Sequence, residues 1–250
     1  MRHLVACCIL ALACKSEPAA PPARWEAVER LATPGIPGGD GTLLAQALDR
    51  VDGDDVPERA LEDAIAWRKM AGGLPWRSGR TLADRQVVRA MKLGTALLDR
   101  RGDDTEAVLT VLYLAHRLRG EAPGLIDITV GFTLAGKVIA KRLPYQPTYA
   151  GFAPTEAEAR RAIPAEAVSL SRMIASTPDD RAGVGDHVRQ YYARMLVGAP
   201  TERAAYLAHV AAATAKAKQD PVLSVVVSPR LPELASQMFQ TIDAYRAWAR

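Results

Sequence analysis

Apolar residues recur at helical spacing along nearly the whole chain, and this periodicity confines the fold to packed helices. The clearest stripe runs over 232–248, where Leu234, Met238, Ile242, Tyr245 and Trp248 share one side and Ser236, Gln240, Asp243 and Arg246 lie opposite. Pro232 suits a first helical turn, where its missing N–H leaves no bond unmade. Over 81–101, Val88, Met91, Thr95 and Leu98 form a second stripe, opened by a capping-box pair, Thr81 and Asp84, and stopped by Gly102. Asp103 or Asp104 caps the next helix, which turns Val108, Val111, Leu112, Ala115 and Leu118 inward and Glu106, Tyr113 and Arg117 outward as far as Gly120. These two helices are expected to pair as an antiparallel hairpin.

Further helices are expected over 25–32, 43–51, 58–71, 125–141, 181–196 and 202–218, and over 156–175 with a break or kink at Pro164. Thr155 and Glu158 form the better capping box. The segment 125–140 is apolar on nearly every side yet short for a bilayer and interrupted by Asp127, so it is expected as the central helix. Gly131 and Gly136 would let neighbouring helices approach it closely. Only 222–227, rich in valine, reads as a strand or a buried extended connector. The spacing of the 34-residue tetratricopeptide unit cannot be laid onto the chain. The expected fold is therefore all-α, an irregular multi-helix bundle of antiparallel helical hairpins with at most one short extended segment.

Cys7, Cys8 and Cys14 are the chain's three cysteines, and all precede the periodic region. Arg2 and His3 lead into an apolar run over 4–13 that is about half the roughly 20 residues a membrane-spanning helix needs. Small residues then precede Cys14. This segment resembles a bacterial lipoprotein export signal, although Ala11 stands where leucine is usual, three residues before the cysteine. The resemblance implies a signal peptide over 1–13, lipidation of Cys14, a membrane anchor and a periplasm-facing domain of the cell envelope. Lys15, where an aspartate would retain such a protein in the inner membrane, leans the expectation towards the outer membrane.

Residues 15–24 combine prolines with small and polar residues, which disfavours regular structure and provides a semi-extended tether behind the anchor. The remainder, 25–250, is expected as a single helical domain with a long loop near 143–154, where Pro144, Pro147 and Pro154 stop helices. With no cysteine beyond Cys14, its stability has to come from packing, without a disulfide, a thiol nucleophile or a cysteine zinc site. A formal net charge of +4 dispersed over 250 residues gives no basis for nucleic-acid binding.

Motifs of catalysis are missing: the chain has no Gly-x-Ser-x-Gly, Ser-x-x-Lys, His-Glu-x-x-His or Walker phosphate loop. No catalytic residue, metal ligand set or cofactor is therefore assigned. His116, His187 and His209 fall on three different expected helices, so only the fold could bring them together. Asp49, Asp52, Asp54 and Asp55 look like a calcium loop until its register is tried; Val56 then takes a ligand position and Pro57 the turn glycine's place. They read instead as an acidic approach to a helix start at Glu58, where negative charge meets the helix dipole. Arg101-Gly102-Asp103 spells an adhesion tripeptide, but a helix stop accounts for each residue.

Two stretches are candidate binding surfaces. In the proline-containing connection, Arg142, Tyr145, Tyr149 and Phe152 offer flat rings and a charge to an envelope protein or a glycan. Around Gly72 and Gly73, Trp67, Trp76, Arg77 and Arg80 form a basic, aromatic patch suited to anionic lipid. The function expected from these features is a lipid-anchored binding or scaffolding domain. The alternatives are an envelope hydrolase acting on peptidoglycan through carboxylates such as Glu121 or Asp127, and a carrier of a small apolar ligand, which requires a cavity.

Overall fold

A computed structural model describes residues 22–36, 38–75, 83–176 and 183–250. In chain order its helices are α1 (Pro22–Ala32), α2 (Thr42–Asp49), α3 (Glu58–Lys69), α4 (Ala83–Arg101), α5 (Thr105–Glu121), α6 (Leu125–Ala140), α7 (Glu156–Ala175), α8 (Gly183–Leu196), α9 (Arg203–Ala217), α10 (Leu223–Val226) and α11 (Leu231–Trp248). A 3-10 helix, η1 (Pro147–Phe152), lies between α6 and α7, inside the stretch expected as a loop. Among the described residues the nearest thing to a strand is an isolated bridge between Asp52 and Asp55, so the protein is an all-α multi-helix bundle.

Local signals in the sequence account for several helix ends. Asp104 caps α5 by accepting from the Glu106 N–H at 2.9 Å. Thr155 and Glu158 close their box in both directions, the Glu158 N–H donating to Thr155 Oγ1 at 3.2 Å and the Thr155 N–H to Glu158 Oε2 at 2.8 Å. A Cβ on Gly102 would sit 2.4 Å from the Leu98 carbonyl oxygen, which is why glycine follows α4. Thr81 of the other expected box lies outside the described residues.

Two expectations change. Over 222–227 the chain forms a short helix, α10, because Asp220 Oδ1 accepts from the backbone N–H groups of Val222 and Leu223, both at 2.9 Å, and so nucleates a turn. Capping overrides the β-preference of four valines. Of the break or kink expected at Pro164, the break does not occur, since α7 continues from Glu156 to Ala175. Pro164 and its neighbours Ile163 and Ala165 are buried, and that packing offsets a proline cost of roughly 3 kcal/mol.

The described residues group into two compact units, with unit 1 combining residues up to Thr33 with Ile163–Ser236, and unit 2 combining Pro34–Ala162 with Gln237–Arg250. Both divisions after residue 100 fall inside helices, α7 and α11, so no linker composition marks them.

In unit 2 the buried core gathers around α5, whose neighbours are α3, α4, α6 and η1. This helix, rather than α6, is the central one: its buried positions run from Ala107 to Glu121 with few gaps and include Arg117 and Arg119. By contrast α6 leaves Ile126 55% exposed and Thr133 in solvent. The sequence pattern misleads because α5 buries charge; Arg119 is fully enclosed, with its Nε on Glu158 at 3.2 Å, Nη1 on the Gly131 carbonyl at 3.4 Å and Nη2 on the Phe152 carbonyl at 2.8 Å. Of the two glycines expected to admit a neighbour, only Gly131 does so, a Cβ there meeting the Ala115 carbonyl oxygen at 2.7 Å; Gly136 has nothing nearer than Thr241 at 3.9 Å.

Unit 1 pairs α8 with α1 and with α9. Its interior includes Val28, Val188, Tyr192, Leu196, Tyr206 and Val210. Glu202 caps α9, its carboxylate accepting from Ala204 N–H at 3.0 Å and Ala205 N–H at 2.7 Å.

Candidate functional site

Of the two stretches singled out in the sequence, the rings of the proline-containing connection are taken up in internal packing, and of the second only Trp67 is among the described residues. Tyr149 is 2% exposed and its carbonyl accepts the Tyr245 hydroxyl at 2.6 Å. Tyr145 meets Trp248 edge-on at 5.2 Å between ring centroids, Tyr149 stacks on Trp248 at 5.5 Å, and the Trp248 indole donates to the Leu143 carbonyl at 2.6 Å. Phe152 packs edge-on against Tyr113 at 5.9 Å. The rings therefore pin the 143–154 segment to α11 and α5. Arg142 alone is exposed, in the left-handed region at φ 53°. Trp67 of the second stretch is buried, donating to the Gly73 carbonyl at 2.8 Å and packing edge-on to Tyr113 at 4.9 Å. Trp76, Arg77 and Arg80 lie outside the described residues, as does Cys14.

The carboxylates named for a hydrolase are separately occupied. Glu121 is buried, 2.7 Å from the Arg117 guanidinium, and accepts from the Leu74 N–H at 3.0 Å. Asp127 is 5% exposed, in the first turn of α6. Among the described residues no group of three or more histidine, cysteine, aspartate or glutamate side chains is placed to hold a metal ion, and no helix is long and apolar enough to cross a membrane.

A cavity of about 400 Å³ lies instead in unit 1, between α8 and α9. From α8 come His187, Gln190, Tyr191, Arg194 and Met195, at positions i, i+3, i+4, i+7 and i+8. From α9 come His209, Ala212, Ala213, Lys216 and Ala217, with the same offsets. Each set is one face of a helix, so the pocket is a seam between two faces. Long side chains on α8 meet alanines on α9, and the missing side-chain volume leaves the space open. Asp220 and Leu223, from the turn entering α10, close one end.

His187, Asp220 and His209 are held by hydrogen bonds. Asp220 Oδ2 faces His187 Nε2 at 2.7 Å while Oδ1 takes the two backbone N–H groups that start α10. Burial works to raise the Asp220 carboxyl, but the Leu223 N–H and His187 outweigh it and hold it below the usual carboxylate range. His209 Nε2 lies 2.7 Å from the Met195 carbonyl oxygen. Carboxylate and carbonyl oxygens only accept, so each histidine carries a hydrogen on Nε2, which leaves Nδ1 as the lone-pair nitrogen when the ring is neutral. Burial pushes the Tyr191 hydroxyl up to about 12, so it stays protonated as a wall of the pocket.

In the sequence the two histidines stand on separate helices with nothing to join them. The available signal was the repeated spacing of two helical faces, one bearing histidine, glutamine, tyrosine and arginine, the other histidine, alanines and lysine. What no pattern supplied was that these faces oppose each other. His116, the third histidine, is in unit 2, its Nδ1 3.7 Å from Glu158 Oε1. No protein family, curated protein or solved structure matches this chain.

Proposed function

We propose that this chain is a lipid-anchored binding protein of a bacterial cell envelope, tethered through Cys14 and the proline-containing residues between it and α1, which takes up a small ligand between α8 and α9. The pocket carries this reading. Its volume of about 400 Å³ is in the range of small-molecule sites, and its mixture of apolar wall and convergent polar groups is what such sites use for affinity and orientation. The cavity favours the carrier reading over a scaffold, whose aromatic loop is spent on internal packing. It favours binding over hydrolysis because the described lining pairs no serine, threonine or cysteine nucleophile with the His187–Asp220 dyad.

Two measurements test the reading. Metabolic palmitate labelling in a bacterial host is expected to mark the protein and to lose that mark in Cys14→Ser; label that persists in the variant refutes the anchor. Native mass spectrometry of protein extracted from that host is expected to reveal a small-molecule adduct that Ala212→Trp, placed on the solvent side of the pocket wall, removes. An adduct retained in the variant places the ligand elsewhere and refutes the pocket.

A further inference from the structure

We infer that the α8–α9 pocket takes a one-chain amphiphile from the anchoring membrane, a molecule of the lysolipid kind, with its acyl chain along the floor of the seam and its head at the rim. This deepens the small-ligand reading and rests on it.

The lining is graded by depth. Met195, Ala217 and Leu223 are buried and apolar, and they make the floor. Arg194, Ala212 and Lys216 are exposed and make the rim. Half-buried polar side chains between the two are engaged by the protein itself: Asp220 meets His187 and the start of α10, and His209 meets the Met195 carbonyl. A ligand that reaches the floor therefore finds few hydrogen bonds to make and gains from each methylene it brings. The methylene stems of Arg194 and Lys216, one from each helix, extend the apolar wall towards the rim.

Volume sets the number of chains. At about 30 Å³ for each water-sized group, a cavity of about 400 Å³ holds about thirteen of them, the bulk of one acyl chain of roughly twelve carbons. The two chains of a diacyl lipid do not fit.

The tether supplies the source. Helix α1 belongs to unit 1 and packs on α8, which forms one wall of the pocket. Seven residues separate Cys14 from Pro22 at the start of α1, so the two lie at most about 30 Å apart however the chain between them runs. An acylated Cys14 thus keeps this unit beside a bilayer, where one-chain amphiphiles collect.

The test compares two lipids with the same head group and chain length, lauroyl lysophosphatidylcholine with a single chain and dilauroyl phosphatidylcholine with two. Each is radiolabelled and carried at low mole fraction in dioleoyl phosphatidylcholine vesicles, which are incubated with the full chain carrying Cys14→Ser and then pelleted. The protein is expected to hold the one-chain label in the supernatant at a level several-fold above the protein-free control, and to leave the two-chain label in the vesicles. Ala212→Trp, with helical circular dichroism unchanged, is expected to abolish the gain; Ala213→Met, a smaller filling of the same wall, repeats the reading if tryptophan unfolds the chain. A gain undiminished in the folded variant places the lipid elsewhere and overturns the inference. In a second arm lysophosphatidylcholines from hexanoyl to palmitoyl are offered in solution by dialysis. Affinity is expected to rise by up to about fourfold per methylene as far as about twelve carbons and then to level off. Affinity indifferent to chain length, or equal uptake of the two labels, overturns the one-chain assignment. Uptake from solution but not from vesicles overturns the membrane as the source. In each of these cases a host-derived adduct that Ala212→Trp removes still upholds the small-ligand reading, so the two fail separately.

Discussion

Glu158 shows how one side chain serves two levels of structure. Its carboxylate closes the capping box with Thr155, which local spacing predicts, and it is also the counter-ion of buried Arg119, 39 residues away. Burial works to raise the Glu158 carboxyl, but the facing His116 ring, the charge of Arg119 and the Thr155 N–H outweigh it and bring it down to about 2. Because this value lies below the ordinary 4.5, the contribution to stability is complete above that range and is lost as pH falls towards about 2. A depression of this size corresponds to roughly 3 kcal/mol. Glu158→Gln is therefore expected to lower the urea-unfolding free energy at neutral pH by about 3 kcal/mol, by leaving Arg119 without its charge partner, and to flatten the acid limb of the stability profile. A variant with an acid limb as steep as the parent's would overturn this account. Ala71 and Arg142 carry a different cost, since both hold φ at 53° at the position just past a helix end. Glycine adopts that region freely, so Ala71→Gly and Arg142→Gly are each expected to raise stability by up to about 1 kcal/mol in the same assay. A loss in either would show that its side chain contributes more than the backbone strain costs.

At the scale of elements, α5 and α6 exchange the roles that their compositions imply. Apolarity all round identifies 125–140 as a candidate centre, yet the enclosed helix is α5, which takes Arg117 and Arg119 inside because each finds oxygen acceptors there. Hydropathy registers those arginines as surface. The approach of α6 to α5 depends on Gly131, where a Cβ would lie 2.7 Å from a carbonyl oxygen that side-chain movement cannot displace. Gly131→Ala is accordingly expected to destabilise by more than about 1 kcal/mol, whereas Gly136→Ala, whose Cβ would make only ordinary contact with Thr241, should gain up to about 1 kcal/mol from helix propensity. Thermal or urea unfolding of the pair reads the contrast directly; equal effects would mean that the α5–α6 contact is not set by Gly131. The α10 turn teaches the converse lesson. Valines over 222–227 read as extended, and one aspartate two residues upstream decides otherwise by capping two N–H groups.

For the whole molecule, the placement of cysteines makes a prediction independent of the fold. All three lie within the first fourteen residues, so the unfolding midpoint of residues 25–250 is expected to be the same with and without reductant. A shift on reduction would show that a disulfide among the N-terminal cysteines, within one chain or between copies, alters the stability of the helical region. The fold class, several helix ends and the Thr155–Glu158 cap were legible in the sequence because each depends on residues three or four positions apart, whose interactions are settled within a turn. The division into two units was not legible, since it falls within α7 and α11, where no change of composition accompanies it. Nor was the pocket. Helical spacing determined which side chains share a face of α8 and which share a face of α9; only tertiary packing turned those faces towards each other and brought Asp220 within 2.7 Å of His187, 33 residues earlier in the chain. Periodicity is a property of one helix, whereas a site between helices depends on their relative placement, and that is decided by the packing of the whole unit rather than by any local run of residues.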